Sequence, residues 1–232
     1  PHQTATALSS VARLMAERTA HSWATVPHFF VVRDVNAAAL NEARAQITKI
    51  SEQTGGARVT LTDLLVGVVA RVLARHPRLN ASWIGETIRR NADINVGLAM
   101  AVDDGVVAPV IANADRLSVA QTAVQRAELS ERARAGKLRP ADLAGGTFTI
   151  SNLGMYQVDA FSAIIIEPQA AILAIGGIAN RVVALEGKPV VRPMLTLTLS
   201  SDHRVVDGAR AAQFMEDLVQ ALQIPSKWIE LR

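Results

Sequence analysis

The chain has 232 residues, with 24 Lys and Arg against 21 Asp and Glu, a formal charge of +3, half of its residues hydrophobic and no cysteine. The length suits one large domain or two small ones, and the missing cysteine excludes a disulfide framework, a thiolate nucleophile and cysteine-ligated metal centres. Three surplus charges on scattered arginines do not make a nucleic-acid-tracking face, and no apolar run reaches the roughly 20 residues of a membrane span, so the sequence reads as a soluble, intracellular protein.

Leu8, Val11, Leu14 and Met15 recur at helical spacing and predict a first helix over 8–22 with one buried stripe. Residues 28–35, rich in branched and aromatic side chains, read as a strand, after which Asn36 can cap a helix carrying Leu40, Ile47 and Ile50. Thr60 or Thr62 opens a third helix, which Pro77 stops near His76. A hairpin turning at Gly85-Glu86, a strand over 94–102, an extended run over 106–111 and a helix over 118–135 ending at Gly136 follow.

Residues 147–151 alternate polar and apolar, so Ser151 ends a strand on the face of Thr147 and Thr149. Residues 170–175 read as a central strand, and 181–185 with 194–201 as a long hairpin turning at 186–189. A closing helix places Ala211, Met215, Leu218 and Leu222 on its buried side. No repeat, linker or composition break divides the chain. The pattern predicts a single α+β domain over 1–232, a two-layer arrangement of packed helices on a mixed, mostly antiparallel sheet.

Of the five histidines, His2 falls in a terminal segment, His21 late in a helix, and His28 and His76 beside prolines, where structural roles suffice. His203 stands after a buried strand, with Asp207 four residues on and Gly208 next to it at the mouth of a helix. A neutral imidazole there suits a general base for a thiol or alcohol, and Asp207 could hold the loop or a ring nitrogen. The alternative is that His203 and Asp207 simply cap the helix. Zinc would need three or four ligands, and no second histidine or cysteine accompanies the pair, so no metal site is expected. Ser151-Asn152-Leu153-Gly154 turns sharply at a strand end. Its hydroxyl could donate to a developing oxyanion, or Ser151 and Asn152 could simply bond nearby backbone.

Together, Gly145-Gly146-Thr147-Phe148-Thr149-Ile150-Ser151-Asn152-Leu153-Gly154-Met155, the Pro168–Leu173 segment and Ser201-Asp202-His203-Arg204-Val205-Val206-Asp207-Gly208-Ala209 resemble the catalytic domain of dihydrolipoamide acyltransferases, the core subunits of 2-oxo acid dehydrogenase complexes. Val26-Pro27-His28-Phe29, His76–Trp83, Asn95–Ala99 and Asp115–Ser118 extend the likeness in the family's usual order. The resemblance implies a chloramphenicol acetyltransferase-like fold and a homotrimer with sites shared between neighbours, assembling into hollow cores of 24 or 60 chains. His203 would be the general base, Ser151 the oxyanion donor and Asp207 the organiser of the loop. Asn152, Gly208 and Arg13 would contact substrate, Arg13 also pairing with Asp207. Coenzyme A and a dihydrolipoyl group would be substrates, with no cofactor bound to this domain.

The family usually carries a basic pair in its first helix, whereas Ala12 precedes Arg13 here. Lipoyl domains, and decarboxylase and dihydrolipoamide dehydrogenase subunits held through domains outside this core, are the further partners implied, in the bacterial cytoplasm or the mitochondrial matrix. The residues after Gly208 look more like acetyl- or branched-chain-transferring members than succinyl-transferring ones. The rival readings are an assembly scaffold of weak or no activity and a free-standing acetyltransferase acting on a small hydroxyl or amine.

Overall fold

A computed structural model describes residues 7–54 and 56–230. His2 therefore lies outside the described residues. Helix α1 (Ser10–Thr25) begins at Ser9, whose side chain accepts the Ala12 N–H. It leads into β1 (His28–Asn36), and Asn36 then accepts the N–H of Ala38 at the start of α2 (Ala38–Thr54), as its capping role requires. Thr60 opens α3 (Leu61–Leu73): its hydroxyl and backbone N–H both donate to Asp63. This helix is apolar on nearly every side and buried from Asp63 to Ala70, as befits the centre of a helical layer.

Strands β2 (Ala81–Ile84) and β3 (Thr87–Arg90) form the expected small hairpin, with Gly85 and Glu86 both at positive φ. The predicted 94–111 region folds as β4 (Val96–Val102), β5 (Gly105–Val107) and β6 (Val110–Ile111). The single extended run expected over 106–111 is interrupted at Pro109, which has no N–H for the ladder, while its carbonyl accepts from Leu98. Helix α4 (Val119–Arg134) is capped by Ser118 and followed by Gly136 at positive φ.

Strands β7 (Phe148–Asn152), β8 (Ala171–Ile175), β9 (Ala179–Leu185) and β10 (Lys188–Asp202) and helix α5 (Gly208–Gln223) complete the chain. The main sheet runs β1-β10-β8-β7-β4-β5, with β6 also on β4 and β9 on the far length of β10. Among the described residues only the β4–β7 and β7–β8 pairs are parallel. The β9–β10 turn is tighter than predicted: Glu186 and Gly187, both at positive φ, make a two-residue turn, and Lys188 and Pro189 already pair within the strands.

Leu195, Leu197 and Leu199 of β10 face a core shared with Leu64, Val68 and Val72 of α3 and with Phe214, Met215, Leu218 and Leu222 of α5. The alternate residues Thr196, Thr198 and Ser200 lie on the other face yet are also buried. That face carries a smaller cluster of Val26, Ile165 and Ile172, where the Ser22 hydroxyl donates to the Ile165 carbonyl.

The first helix departs from expectation. Leu8, Val11 and Leu14 are exposed and Met15 is half-buried, Ser22 being the buried residue of α1. The helix touches the body where Met15 and Val11 approach Gly105, at Ser22, and where Trp23 packs on His28, while Leu8 and Leu14 stay exposed.

Candidate active site

β10 is buried from Met194 onward, where its alternate leucines face the helical layer, and it delivers Asp202 to the sheet end with almost no exposure. There the chain turns. The Asp202 carbonyl accepts from Val205 and Val206, and its carboxylate takes the Arg204 backbone N–H and a two-pronged contact from the Arg204 guanidinium at 2.8–2.9 Å. That hydrogen bonding raises the Arg204 pKa above its ordinary value. Arg204 also lies over the Trp83 ring, 5.1 Å from its centroid.

His203 is therefore mounted on a turn clamped from both sides. Its backbone N–H donates to Pro27, and its imidazole packs on Phe29 with centroids 4.6 Å apart. The ring is exposed and has no hydrogen-bond partner among the described residues. By contrast, both ring nitrogens of His28 are committed, one to the Val26 carbonyl and the other to the Ile165 N–H. His76 is paired with Asp217, in keeping with the structural roles expected of both.

Asp207 does not reach the imidazole. It caps α5, accepting the Arg210 backbone N–H at 2.9 Å, and its second oxygen is paired with the Arg210 guanidinium. The expected Arg13–Asp207 ion pair is absent among the described residues; the carboxylate is paired with Arg210 of α5 instead. Gly208 starts α5 with ordinary backbone rather than the left-handed conformation allowed for it, and a Cβ there would meet nothing within 4 Å.

Ser151 lies at the C-terminal end of β7, paired with Ala99 and Ala174. The two residues of its turn behave differently. Asn152 is committed within the chain, accepting the Gly154 N–H and donating to the Thr62 hydroxyl, which ties the turn to α3. Ser151, half-buried, has no side-chain partner among the described residues.

The strand registers separate the two candidate groups. Ser151 is level with Ala174 and Thr198, whereas His203 lies five positions further along β10 and two strands away. At about 3.3 Å per residue and 4.8 Å between strands, their backbones are roughly 19 Å apart. One reacting carbon cannot touch both side chains of a single chain. Phe29, Trp83, Asp202, Arg204 and Arg210 are site-supporting residues not anticipated from sequence, although the Asp-His-Arg order contained the clamp.

A family model described as 2-oxoacid dehydrogenases acyltransferase (catalytic domain) matches residues 1–230. The Schizosaccharomyces pombe mitochondrial dihydrolipoyllysine-residue acetyltransferase component of the pyruvate dehydrogenase complex is 39% identical over 221 residues, covering 94% of this chain and 45% of that protein. The chain spans about half the length of the curated relatives it matches. The solved Azotobacter vinelandii dihydrolipoamide acetyltransferase superposes with a TM-score of 0.93 at 32% identity, covering 97% of this chain and 93% of that one. A cubic core of the pyruvate dehydrogenase multienzyme complex gives the same TM-score, identity and coverage. Chloramphenicol acetyltransferase, at 11% identity and a TM-score of 0.53, shares the fold. The chain belongs to the 2-oxoacid dehydrogenase acyltransferase family, of which it carries the catalytic domain.

Proposed function

We propose that this domain transfers an acyl group, acetyl in the first instance, between a dihydrolipoyl thioester and coenzyme A, as the core of a 2-oxo acid dehydrogenase complex. The observation that carries the reading is the pair His203 and Ser151, neither with a side-chain hydrogen-bond partner among the described residues, held apart by the strand register. Spacing supports their roles. The serine, histidine and asparagine investigated in the catalytic mechanism of the Azotobacter protein stand 52 and 4 residues apart, as Ser151, His203 and Asp207 do here.

In this mechanism His203 accepts the proton of the coenzyme A thiol, and the thiolate attacks the acyl carbon of the dihydrolipoyl thioester. The carbonyl oxygen becomes an oxyanion to which the Ser151 hydroxyl of a neighbouring copy donates. Collapse breaks the bond to the dihydrolipoyl sulfur, which takes the proton back from the imidazolium. No protein thiol is required.

The 19 Å separation makes a shared site between copies necessary to this chemistry. A trimer also accounts for the exposed apolar side chains on and just before α1 and on β1, namely Leu8, Val11, Leu14, Trp23, Phe30 and Val32. Further assembly into a hollow core, with lipoyl domains and the other complex subunits as partners in a bacterial cytoplasm or mitochondrial matrix, follows the same reading. The test is a panel of acetyl-, propionyl-, isobutyryl- and succinyl-coenzyme A donors assayed with dihydrolipoamide, on the assembled protein and on His203→Ala. Acetyl transfer lost by at least about a hundredfold in the variant is expected. A large particle transferring none of the four groups would instead identify a scaffold.

A further inference from the structure

The residues on either side of His203 form one unit. Asp202, almost wholly buried, accepts the Arg204 backbone N–H at 3.0 Å and the guanidinium through Nε at 2.9 Å and one terminal nitrogen at 2.8 Å. A guanidinium next to the base of a reaction on coenzyme A invites a role in holding a substrate phosphate. Its surroundings argue otherwise: one edge of the fork is spent on Asp202, and the group rests over the Trp83 ring, 5.1 Å from its centroid.

The indole is itself fixed. Trp83 of β2 pairs with Ile88 of β3, and both pack against the main core. β2 is fastened to the segment entering β8 twice, the Ala81 carbonyl accepting the Ala170 N–H at 3.0 Å and Ser82 bridging to Gln169. The Ala170 carbonyl in turn accepts the Asp202 N–H at 2.9 Å, so the hairpin and the histidine turn meet at one residue. These backbone bonds place Asp202 but leave the Arg204 side chain free to rotate. The Trp83 ring supplies the missing support.

We infer that Trp83 is a positioning residue for catalysis: its ring holds the Arg204 guanidinium on Asp202 and so fixes the turn that presents His203, and Arg204 serves this clamp rather than binding coenzyme A. This rests on the general-base reading of His203. Trp83 touches no reacting atom and acts only through Arg204 and the turn.

The test is kcat and KM for acetyl-coenzyme A, with dihydrolipoamide as acceptor, in the assembled wild type, Trp83→Leu, Trp83→Phe and Arg204→Lys, and in Trp83→Leu combined with Arg204→Lys or with His203→Ala. Arg204→Lys keeps a positive charge beside the buried Asp202 but loses the fork. Trp83→Leu and Arg204→Lys are each expected to lower kcat about tenfold while KM stays within about twofold of wild type. Trp83→Phe, which keeps a flat face, recovers most of the rate. Trp83→Leu costs little more once Arg204→Lys is present, and nothing more in His203→Ala. A raised KM at unchanged kcat, a Trp83→Phe variant as slow as Trp83→Leu, or an undiminished effect of Trp83→Leu in either double variant would overturn the inference. If Trp83→Leu does not assemble, Arg204→Lys alone decides, with an unchanged kcat or a raised KM counting against the clamp. An inactive wild type, or a His203→Ala variant as active as wild type, would instead refute the underlying function.

Discussion

The ring of Phe29 supports the imidazole of His203, their planes inclined by 52°, and Phe29 pairs in register with Ser201, two residues before the histidine. β1 is thus fastened to the sheet beside the turn it supports, and the contact limits the orientations open to an otherwise exposed ring. Phe29→Leu keeps apolar bulk but removes the flat surface. Its kcat should fall by roughly tenfold with KM for coenzyme A little changed, as for a group that orients the base without binding substrate. Equal loss in His203→Ala and in the double variant would show that Phe29 acts through the histidine.

The separation of His203 and Ser151 predicts complementation. Ser151→Ala should lose about a hundredfold to a thousandfold in kcat and His203→Ala a comparable amount. Chains of the two variants, unfolded together and reassembled, regain sites that take the histidine from one copy and the serine from another. Random trimers would recover about one quarter of wild-type activity. Recovery no greater than the sum of the two single variants would rule out a shared site.

Gly176 and Gly208 make opposite predictions. A Cβ on Gly176 would lie 2.0 Å from the Asp159 carbonyl oxygen, where the 153–168 segment crosses the end of β8 and Val158 accepts from Gly177. Gly176→Ala must displace that crossing and should cost about 3 kcal/mol or more in chemical denaturation. Gly208→Ala enters open space on a helix and should leave stability unchanged or improve it by up to about 1 kcal/mol. An activity loss in Gly208→Ala at unchanged melting temperature would locate substrate or a neighbouring copy against the start of α5.

Asp142 predicts an acid-dependent contribution to stability. The Arg139 side chain and backbone N–H, assisted by Arg132, hold its carboxyl well below the ordinary range. A depressed folded-state pKa stabilises fully above the unfolded value, near 4, and the contribution is lost as pH falls toward the folded value. Wild type should therefore melt above Asp142→Asn at neutral pH, with the gap closing between about pH 4 and pH 2. A gap independent of pH would mean that the carboxylate's charge contributes nothing.

Local elements were legible because periodicity is a local property. The alternation of Leu195, Leu197 and Leu199 with threonines and serine, and the buried stripe of α5, follow from strand and helix geometry alone. Leu8, Val11 and Leu14 show the limit of such signals: an apolar stripe states that a face is covered, not by which chain. The functional side chains were recognisable by type and neighbourhood, but their mutual distance depends on β10, β8 and β7 pairing across the chain. Sequence reading paired Asp207 with the histidine four residues before it or with Arg13, and overlooked the arginine three residues after it, which the start of α5 brings alongside the carboxylate.

The parallel run of β4, β7 and β8 has an evolutionary consequence. Successive parallel strands cannot be joined by tight turns, so the chain must leave the sheet after Ser151 and return through the irregular 153–170 excursion. The hydroxyl is fixed by the ladder while the walls around it belong to a connection free to vary in length and side chains. If Ser151 donates to the oxyanion as proposed, acyl preference could diverge among descendants of this scaffold through that connection without disturbing β7.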